Sequence, residues 1–314
     1  MIEIIKCMPG CTVQDAGRTG YRRLGVGSSG ALDQLALAAG NILLGNKAEA
    51  ASLEILLFPL EIRFLKDCAF AVTGSPNKVS LDDSLLPPWW RASAKAGQTL
   101  RIEGTAKGGV NYLSLGGGLD VALVMASAST DLKGQFGGHD GRMLKAGDII
   151  RGIGQAGPVN TASFGACPFV SAEPDTLRVL PGFELERLTT EQRSTLWNST
   201  WTVSRQSNRI GFRLEGPALV FDTPIELLSY GFMPGLIQLP PSGQPIVMLS
   251  DAQTSGGYPR LGSVIESDLR LLAQSSPGSR LRLRICSLEE ALEAETQELA
   301  YKQRLQSLRE AVCP

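Results

Sequence analysis

Between Gly235 and Leu269 the chain reads GLIQLPPSGQPIVMLSDAQTSGGYPRLGSVIESDL, gathering Gln238, Gln244, Asp251, Gln253, Thr254, Ser255 and Tyr258 among apolar runs, glycines and prolines. These residue types suggest a chemistry. An amide side chain donates and accepts at once, so Gln238, Gln244 and Gln253 suit recognition of a urea-like or lactam group. Asp251 is of a residue type that can transfer a proton, and Tyr258 carries a hydroxyl. Arg209, upstream in SRQSNRIGFRLEG, offers a planar fork to a carboxylate. The same residues also suit a polar hairpin whose side chains cap their own backbone. The pattern alone leaves both readings open.

The elements that would hold these groups follow from the flanking pattern. Ile246 to Leu249 is a short apolar run bounded by turn residues, which predicts a buried strand. Gly256 and Gly257 relieve the loop after it, and Pro259 holds Tyr258 extended. A rigid strand ending in a tight polar loop is where a scaffold presents working groups. Asp251, Gln253 and Tyr258 are therefore expected to line a cleft with Arg209, with Gln238 or Gln244 facing it. A second cluster, VQDAGRTGYRRLGVGSSGALD, places Asp15, Arg18 and Tyr21 close to Arg22 and Arg23. Asp15 and Arg18 either pair with each other or leave Arg18 to offer its fork to a carboxylate.

Composition narrows the field. The chain has 314 residues, 43% of them hydrophobic, and a formal net charge of −1. That length allows one large domain or two ordinary ones. Near-neutral, mixed charge argues against nucleic acid as a partner. No apolar run approaches the roughly 20 residues of a membrane span, and MIEIIK reads as a strand rather than a signal segment. A cytoplasmic protein is expected, its six scattered cysteines reduced. The single histidine, His139, lies in a glycine-rich loop; it excludes histidine-rich metal sites and restricts any Ser-His-Asp triad to that residue. Gly116-Gly117-Gly118 lacks a following Lys-Ser or Lys-Thr, so ATP chemistry is expected on another chain.

The fold class expected is mainly β. Short runs at Ile2 to Ile5, Leu53 to Leu56, Glu61 to Leu65, Phe70 to Thr73, Lys78 to Leu81, Thr99 to Ile102 and Tyr112 to Leu115 are separated by turn residues. A helix is expected from Ala31 to Leu44, stopped by Gly45. Glu184 to Trp197 reads as helical. Trp201 to Ser204, Arg213 to Glu215, Ile225 to Leu228, Ile246 to Leu249 and Arg280 to Ile285 read as strands of a second half. Small residues and proline place a linker from Gly152 to Asp175. Three echoes suggest two similar halves: Ile2 to Ile5 with Leu177 to Val179, Gly20-Tyr21-Arg22 with Gly211-Phe212-Arg213, and Gly97 with Gly278 ahead of apolar-basic runs. Ser287 and Glu290 form a capping box, and Leu288, Leu292, Leu299, Leu305, Leu308 and Val312 make an apolar stripe, predicting one long C-terminal helix that packs on its own barrel or docks a partner.

Three motifs, VQDAGRTGYRRLGVGSSGALD, SRQSNRIGFRLEG and GQPIVMLSDAQTSGGYPRLGSVIESDL, recur in this order and span most of the chain. In them the chain resembles the C subunits of bacterial 5-oxoprolinase. That family is related to the second subunit of allophanate hydrolase, the carboxyltransferase region of urea carboxylase and an antagonist of a sporulation-kinase inhibitor. The resemblance implies two cyclophilin-like β-barrel halves at 1–160 and 175–286, with strand exchange between them possible, followed by the helix at 287–314. It implies a hydrolase subunit, inactive alone, that helps open 5-oxo-L-proline to glutamate. ATP-dependent activation of the lactam would lie on a partner, with subunits A and B as partners, B being related to the kinase inhibitor. Asp251 and Tyr258 would be catalytic; Arg209, Gln238, Gln244, Gln253, Thr254, Asp15, Arg18 and Tyr21 would bind the substrate. No covalent cofactor is expected: Met143-Leu144-Lys145 does not match a biotin-carrier Met-Lys-Met turn. Two alternatives are carboxyl transfer to a urea-like amide and non-catalytic capture of a kinase-inhibitor protein.

Overall fold

The computed structural model describes residues 1–105, 108–154, 161–223 and 225–313. The chain is mainly β and divides into two compact units. Met1–Arg18, Ser29–Phe169 and Leu299–Pro314 make the first; Thr19–Ser28 and Val170–Glu298 make the second.

The strands of the first unit form two six-stranded antiparallel sheets rather than one closed ladder. One runs Ile149–Ile150, Ile2–Lys6, Leu60–Phe64, Thr99–Glu103, Lys78–Leu81, Ser84–Leu86. The other runs Phe164–Gly165, Trp90–Ala94, Cys68–Gly74, Asn111–Leu115, Ser52–Ile55, Cys11–Gln14. Alternate residues of both, among them Ile4, Ile62, Phe64, Leu53, Phe70 and Leu113, share one apolar core. The opposite face of the second sheet is polar and still buried, because helix α1 (Gln34–Leu44) lies on it. The Thr73 hydroxyl donates to the Ala36 carbonyl at 2.6 Å. A Cβ at Gly40 would fall 2.9 Å from Ser114 Oγ, so glycine is what lets the helix approach.

One expectation is corrected here. The helix starts at Gln34, not Ala31, because the Asp33 carboxylate caps it by accepting from the Ala36 amide at 2.9 Å. Part of the N-terminal glycine-rich stretch is strand: Cys11–Gln14 pairs along Ser52–Ile55 and turns Cys11 and Val13 inward. The expected linker is also partly built. Residues 155–160 lie outside the described residues, but Phe164–Gly165 pairs with Trp90–Ala94 in the first unit.

The second unit is a closed seven-stranded barrel in the order Thr176–Pro181, Arg260–Val264, Leu236–Gln238, Ile246–Met248, Gly211–Glu215, Trp201–Val203, Arg280–Ile285. It closes by parallel pairing of Arg280–Ile285 with Thr176–Pro181. Leu177, Val179, Trp201, Leu214, Val247 and Leu261 are among its buried apolar side chains. Helix α2 (Thr190–Asn198) is capped by Thr189, whose hydroxyl accepts from the Gln192 amide. Helix α3 (Glu266–Ala273) is tied to the barrel by Asp268, which accepts from Arg178 at 2.7 and 3.0 Å. Ile225–Leu228 is not a strand; the segment lies at the surface, with Leu228 93% exposed, so its apolar residues have no sheet face to fill.

Two echoes have structural counterparts. Ile2–Lys6 and Thr176–Pro181 are both strands, and Gly97 and Gly278, at φ 91° and 90°, both turn the chain into a strand. The third fails, since Gly211-Phe212-Arg213 is strand while Arg22–Leu24 is a short 3-10 turn.

Helix α4 spans Leu288–Val312, and its capping box is formed: Ser287 Oγ accepts from the Glu290 amide and Glu290 from the Ser287 amide. Its expected apolar stripe is corrected. Leu305 is buried, but Leu288, Leu292 and Leu299 are more than half exposed. Ala294, Tyr301 and Leu305 form the buried face. Among the described residues no helix is long and apolar enough to cross a membrane.

Candidate functional site

The strand Ile246–Met248 lies between Leu236–Gln238 and Gly211–Glu215, so its end is fixed from both sides. The chain then turns sharply, with the Leu249 amide on the Ile210 carbonyl and the Asp251 amide on the Arg209 carbonyl. The side chains repeat the clamp. Arg209 Nε and Nη2 donate to the two oxygens of Asp251, both at 2.8 Å. The fork expected to read a substrate carboxylate is thus engaged by Asp251, and Arg209 is 5% exposed.

Beyond this clamp the loop forms a two-stranded ribbon, with Ser255–Gly256 antiparallel to Tyr230–Gly231. Gly256 is required there, since a Cβ would fall 2.7 Å from the Phe232 ring. Phe232, Met248 and Ala252 make the apolar bed, joined by Tyr230, Leu236 and Ile246. A hydrogen-bonded chain runs over it. Gln238, 2% exposed, donates through Nε2 to the Tyr230 hydroxyl at 3.2 Å, and that hydroxyl donates to the Tyr258 carbonyl. Burial pushes the Tyr230 phenol above its ordinary pKa, so it stays a donor. The Tyr258 ring is 47% exposed. Arg260 stacks over the Tyr230 ring at 4.4 Å and bonds Glu184 at 2.7 and 2.8 Å, which holds the Glu184 carboxyl below its ordinary pKa.

The remaining candidates divide. Gln244 spends its amide on one residue: Oε1 accepts from the Gly216 amide at 2.8 Å and Nε2 donates to the Gly216 carbonyl at 3.1 Å. For this side chain the backbone-capping reading describes the structure. Gln253 is exposed and Thr254 half-buried; the Thr254 carbonyl accepts from the Phe232 amide. Tyr21 belongs to the second unit, immediately before the Arg22–Leu24 turn.

Asp15 and Arg18 belong to the first unit and are buried. Asp15 accepts from the hydroxyls of Ser127 and Ser129 at 2.7 and 2.6 Å and from the amides of Gly17 and Ala128. Arg18 donates to the carbonyls of Val124 and Ser129 and stacks 4.7 Å from the Phe136 ring. The two brace the same loop. Val124 and Ser127 bracket Met125 and Ala126, which sit at φ 53° and 61°, where a side chain is strained. Among the described residues no cluster of three or more His, Cys, Asp or Glu side chains is arranged to hold a metal.

Arg22 was not among the expected site residues, yet it reaches this loop. Its guanidinium donates to the Phe232 carbonyl, to the Gln253 carbonyl at 3.3 Å and to Ser28 Oγ at 2.9 Å. Only its place in an Arg22-Arg23 pair within a glycine-rich loop marked it in the sequence.

Known proteins align with this architecture over most of its length. Residues 24–285 match the family described as "Carboxyltransferase domain, subdomain A and B". Over 305 residues the chain is 43% identical to the C subunit of Escherichia coli 5-oxoprolinase, covering 97% of each. Over 291 residues it is 38% identical to the C subunit of Haemophilus influenzae 5-oxoprolinase, covering 93% of each. The crystal structure of the K. lactis urea amidolyase superposes with a TM-score of 0.88 at 26% identity, over 97% of this chain and 20% of that one.

Proposed function

The chain belongs to the carboxyltransferase-domain family of subdomains A and B, and from that membership we propose that it is the C subunit of an ATP-dependent 5-oxoprolinase, converting 5-oxo-L-proline to L-glutamate together with subunits A and B. The observation that carries this reading is the 97% mutual coverage, at 43% identity, with a relative named for that role. The likeness to urea amidolyase covers a fifth of a much longer chain.

The chemistry fits a divided enzyme. A lactam carbonyl resists water until it is activated, and this sequence carries no Walker-type phosphate loop. Activation with ATP is therefore assigned to a partner, and no covalent cofactor to this chain. What this chain supplies is a fixed polar loop on a barrel end. In this reading the Tyr258 hydroxyl and the amide of Gln253 would face the ligand with Thr254 between them; Gln238 fixes Tyr230 and with it the Tyr258 backbone. Asp251 orients the loop through Arg209. Asp15 and Arg18 act on the first unit's loop at Val124–Ser127. Gln244 keeps the barrel end in shape.

The test is reconstitution. With subunits A and B the chain should support ATP-dependent release of glutamate from 5-oxoproline, and alone it should not. Turnover by the single chain would remove the subunit reading. Carboxyl transfer from carboxybiotin to urea by the same assembly, with no glutamate formed, would favour the carboxyltransferase reading that the family's description supports.

A further inference from the structure

In the second unit the half-buried and buried arginines follow a rule that Arg22 breaks. Arg178 meets Asp268, Arg193 meets Glu186, Arg209 meets Asp251, Arg260 meets Glu184, Arg270 meets Glu298 and Arg284 meets Glu173 and Glu290. Arg22 is half-buried, and its acceptors are neutral: two backbone carbonyls and a serine hydroxyl. Taking a cation from water is favourable only when a counter-charge or a full set of hydrogen bonds replaces the hydration. Three hydrogen bonds use fewer than the five N–H groups of a guanidinium. Burial accordingly lowers the Arg22 pKa, the mark of a desolvated cation that no anion among the described residues compensates.

Its position gives this charge a use. The Thr19–Ser28 excursion leaves the first unit's run of chain and counts with the second. Gly25, at φ 82°, ends the short turn that starts at Arg22. Two of the three acceptors, Phe232 and Gln253, belong to the ribbon and loop that present Thr254 and Tyr258. Two other arginines at this loop are already engaged by carboxylates: Arg209 bonds Asp251 through both arms of its fork, and Arg260 bonds Glu184.

We propose that Arg22 binds the carboxylate of a small anionic ligand at the Gln253–Tyr258 loop, and so sets the site's preference for an acid over its neutral amide. The ligand class is a small carboxylic acid carrying a cyclic or urea-type amide. The inference rests on the reading of this loop as a ligand site. The amide would lie against Gln253 and Tyr258, and the carboxylate against the N–H groups that Arg22 has left.

The experiment measures equilibrium binding to the full chain, alone and assembled with its partner subunits, using ligand pairs that differ only in charge: 5-oxo-L-proline against its carboxamide, and allophanate against biuret. The wild type should prefer the acid in at least one pair by about tenfold or more, which is what one charged hydrogen bond contributes. Arg22→Gln should erase that preference and leave the amide's affinity unchanged. Arg22→Lys, which keeps the charge and loses the fork, should retain part of it, and it decides the matter if the glutamine variant does not fold. No acid preference in the wild type, a preference that survives both substitutions, or an equal loss for acid and amide would overturn the proposal; the last would make Arg22 a tie for the loop only. Acid preference without ATP-dependent turnover would remove the 5-oxoprolinase reading and leave Arg22 standing, and turnover without acid preference would do the reverse.

Discussion

Asp251 and Arg209 share two hydrogen bonds with side chains only 16% and 6% exposed, and this decides what substitution at Asp251 reports. Removing one partner leaves the other charge buried, which costs more than the pair contributes. Asp251→Asn is expected to lower stability by about 3 kcal/mol, and the double variant Arg209→Met/Asp251→Leu to recover much of it. Urea unfolding of the single and double variants tests this; a stable Asp251→Asn protein with low activity in the assembled complex would show the charge acting in the chemistry instead. Tyr258 is the cleaner reporter, because Tyr258→Phe removes one hydroxyl from a half-exposed ring. It should leave the unfolding midpoint in place and lower the assembled complex's activity by about tenfold.

A second residue-scale expectation concerns acid. Arg142 donates to Asp148 at 2.7 and 2.9 Å and the Lys145 amide adds a third bond, so the carboxyl titrates at about 2 instead of 3.8, against the opposing effect of burial. The folded pKa lies below the unfolded one. The stabilisation is therefore complete above about pH 4 and is lost as pH falls through about 2. Asp148→Asn should give a flatter loss of stability between these limits than the wild type. Parallel acid limbs would show that the pair does not contribute.

At the scale of elements, α4 separates what its sequence spells out from what it does not. Its length is local information: the Ser287–Glu290 box starts it and no glycine or proline interrupts it. Its buried face is not local, because Tyr301 is chosen by partners elsewhere in the chain. The Tyr301 hydroxyl donates to the Cys167 carbonyl at 2.7 Å, and its ring meets Trp89 and Phe169 edge-on. Leu305→Ala should cost about 2–4 kcal/mol, as for a fully buried leucine, whereas Leu292→Ala should cost under about 0.5 kcal/mol. Chemical denaturation of both variants checks this, and equal losses would mean that the exposed stripe is covered. The candidate site divides in the same way. The strand Ile246–Met248 and its glycine-relieved loop were legible because apolar runs and turn residues are contiguous. Arg22 was not, because the Gln253 carbonyl it bonds lies 231 residues along the chain. Glu54 and Tyr112 resemble outward-facing strand residues, yet both are fully buried, the Tyr112 hydroxyl donating to Glu54 at 2.7 Å beneath α1.

At the scale of the whole molecule, the two units are interleaved in sequence, and this limits how the chain can be divided. A cut inside the expected linker at the unit boundary gives fragments 1–169 and 170–314, and each carries a segment that belongs with the other unit. The first fragment keeps Trp89 but loses Tyr301, which packs on it, and Leu305. The second keeps the Gln253 and Phe232 carbonyls but loses Arg22, which bonds both. Each fragment would also hold a stranded piece, Thr19–Ser28 in one and Leu299–Pro314 in the other, with no unit to fold against. Neither fragment is expected to unfold cooperatively alone, whereas the two expressed together should associate and regain a cooperative transition. Calorimetry of the separate and combined fragments makes the comparison. A sharp transition from either fragment alone would show that its unit folds without the crossing segment, and that Thr19–Ser28 or the end of α4 decorates its unit instead of completing it.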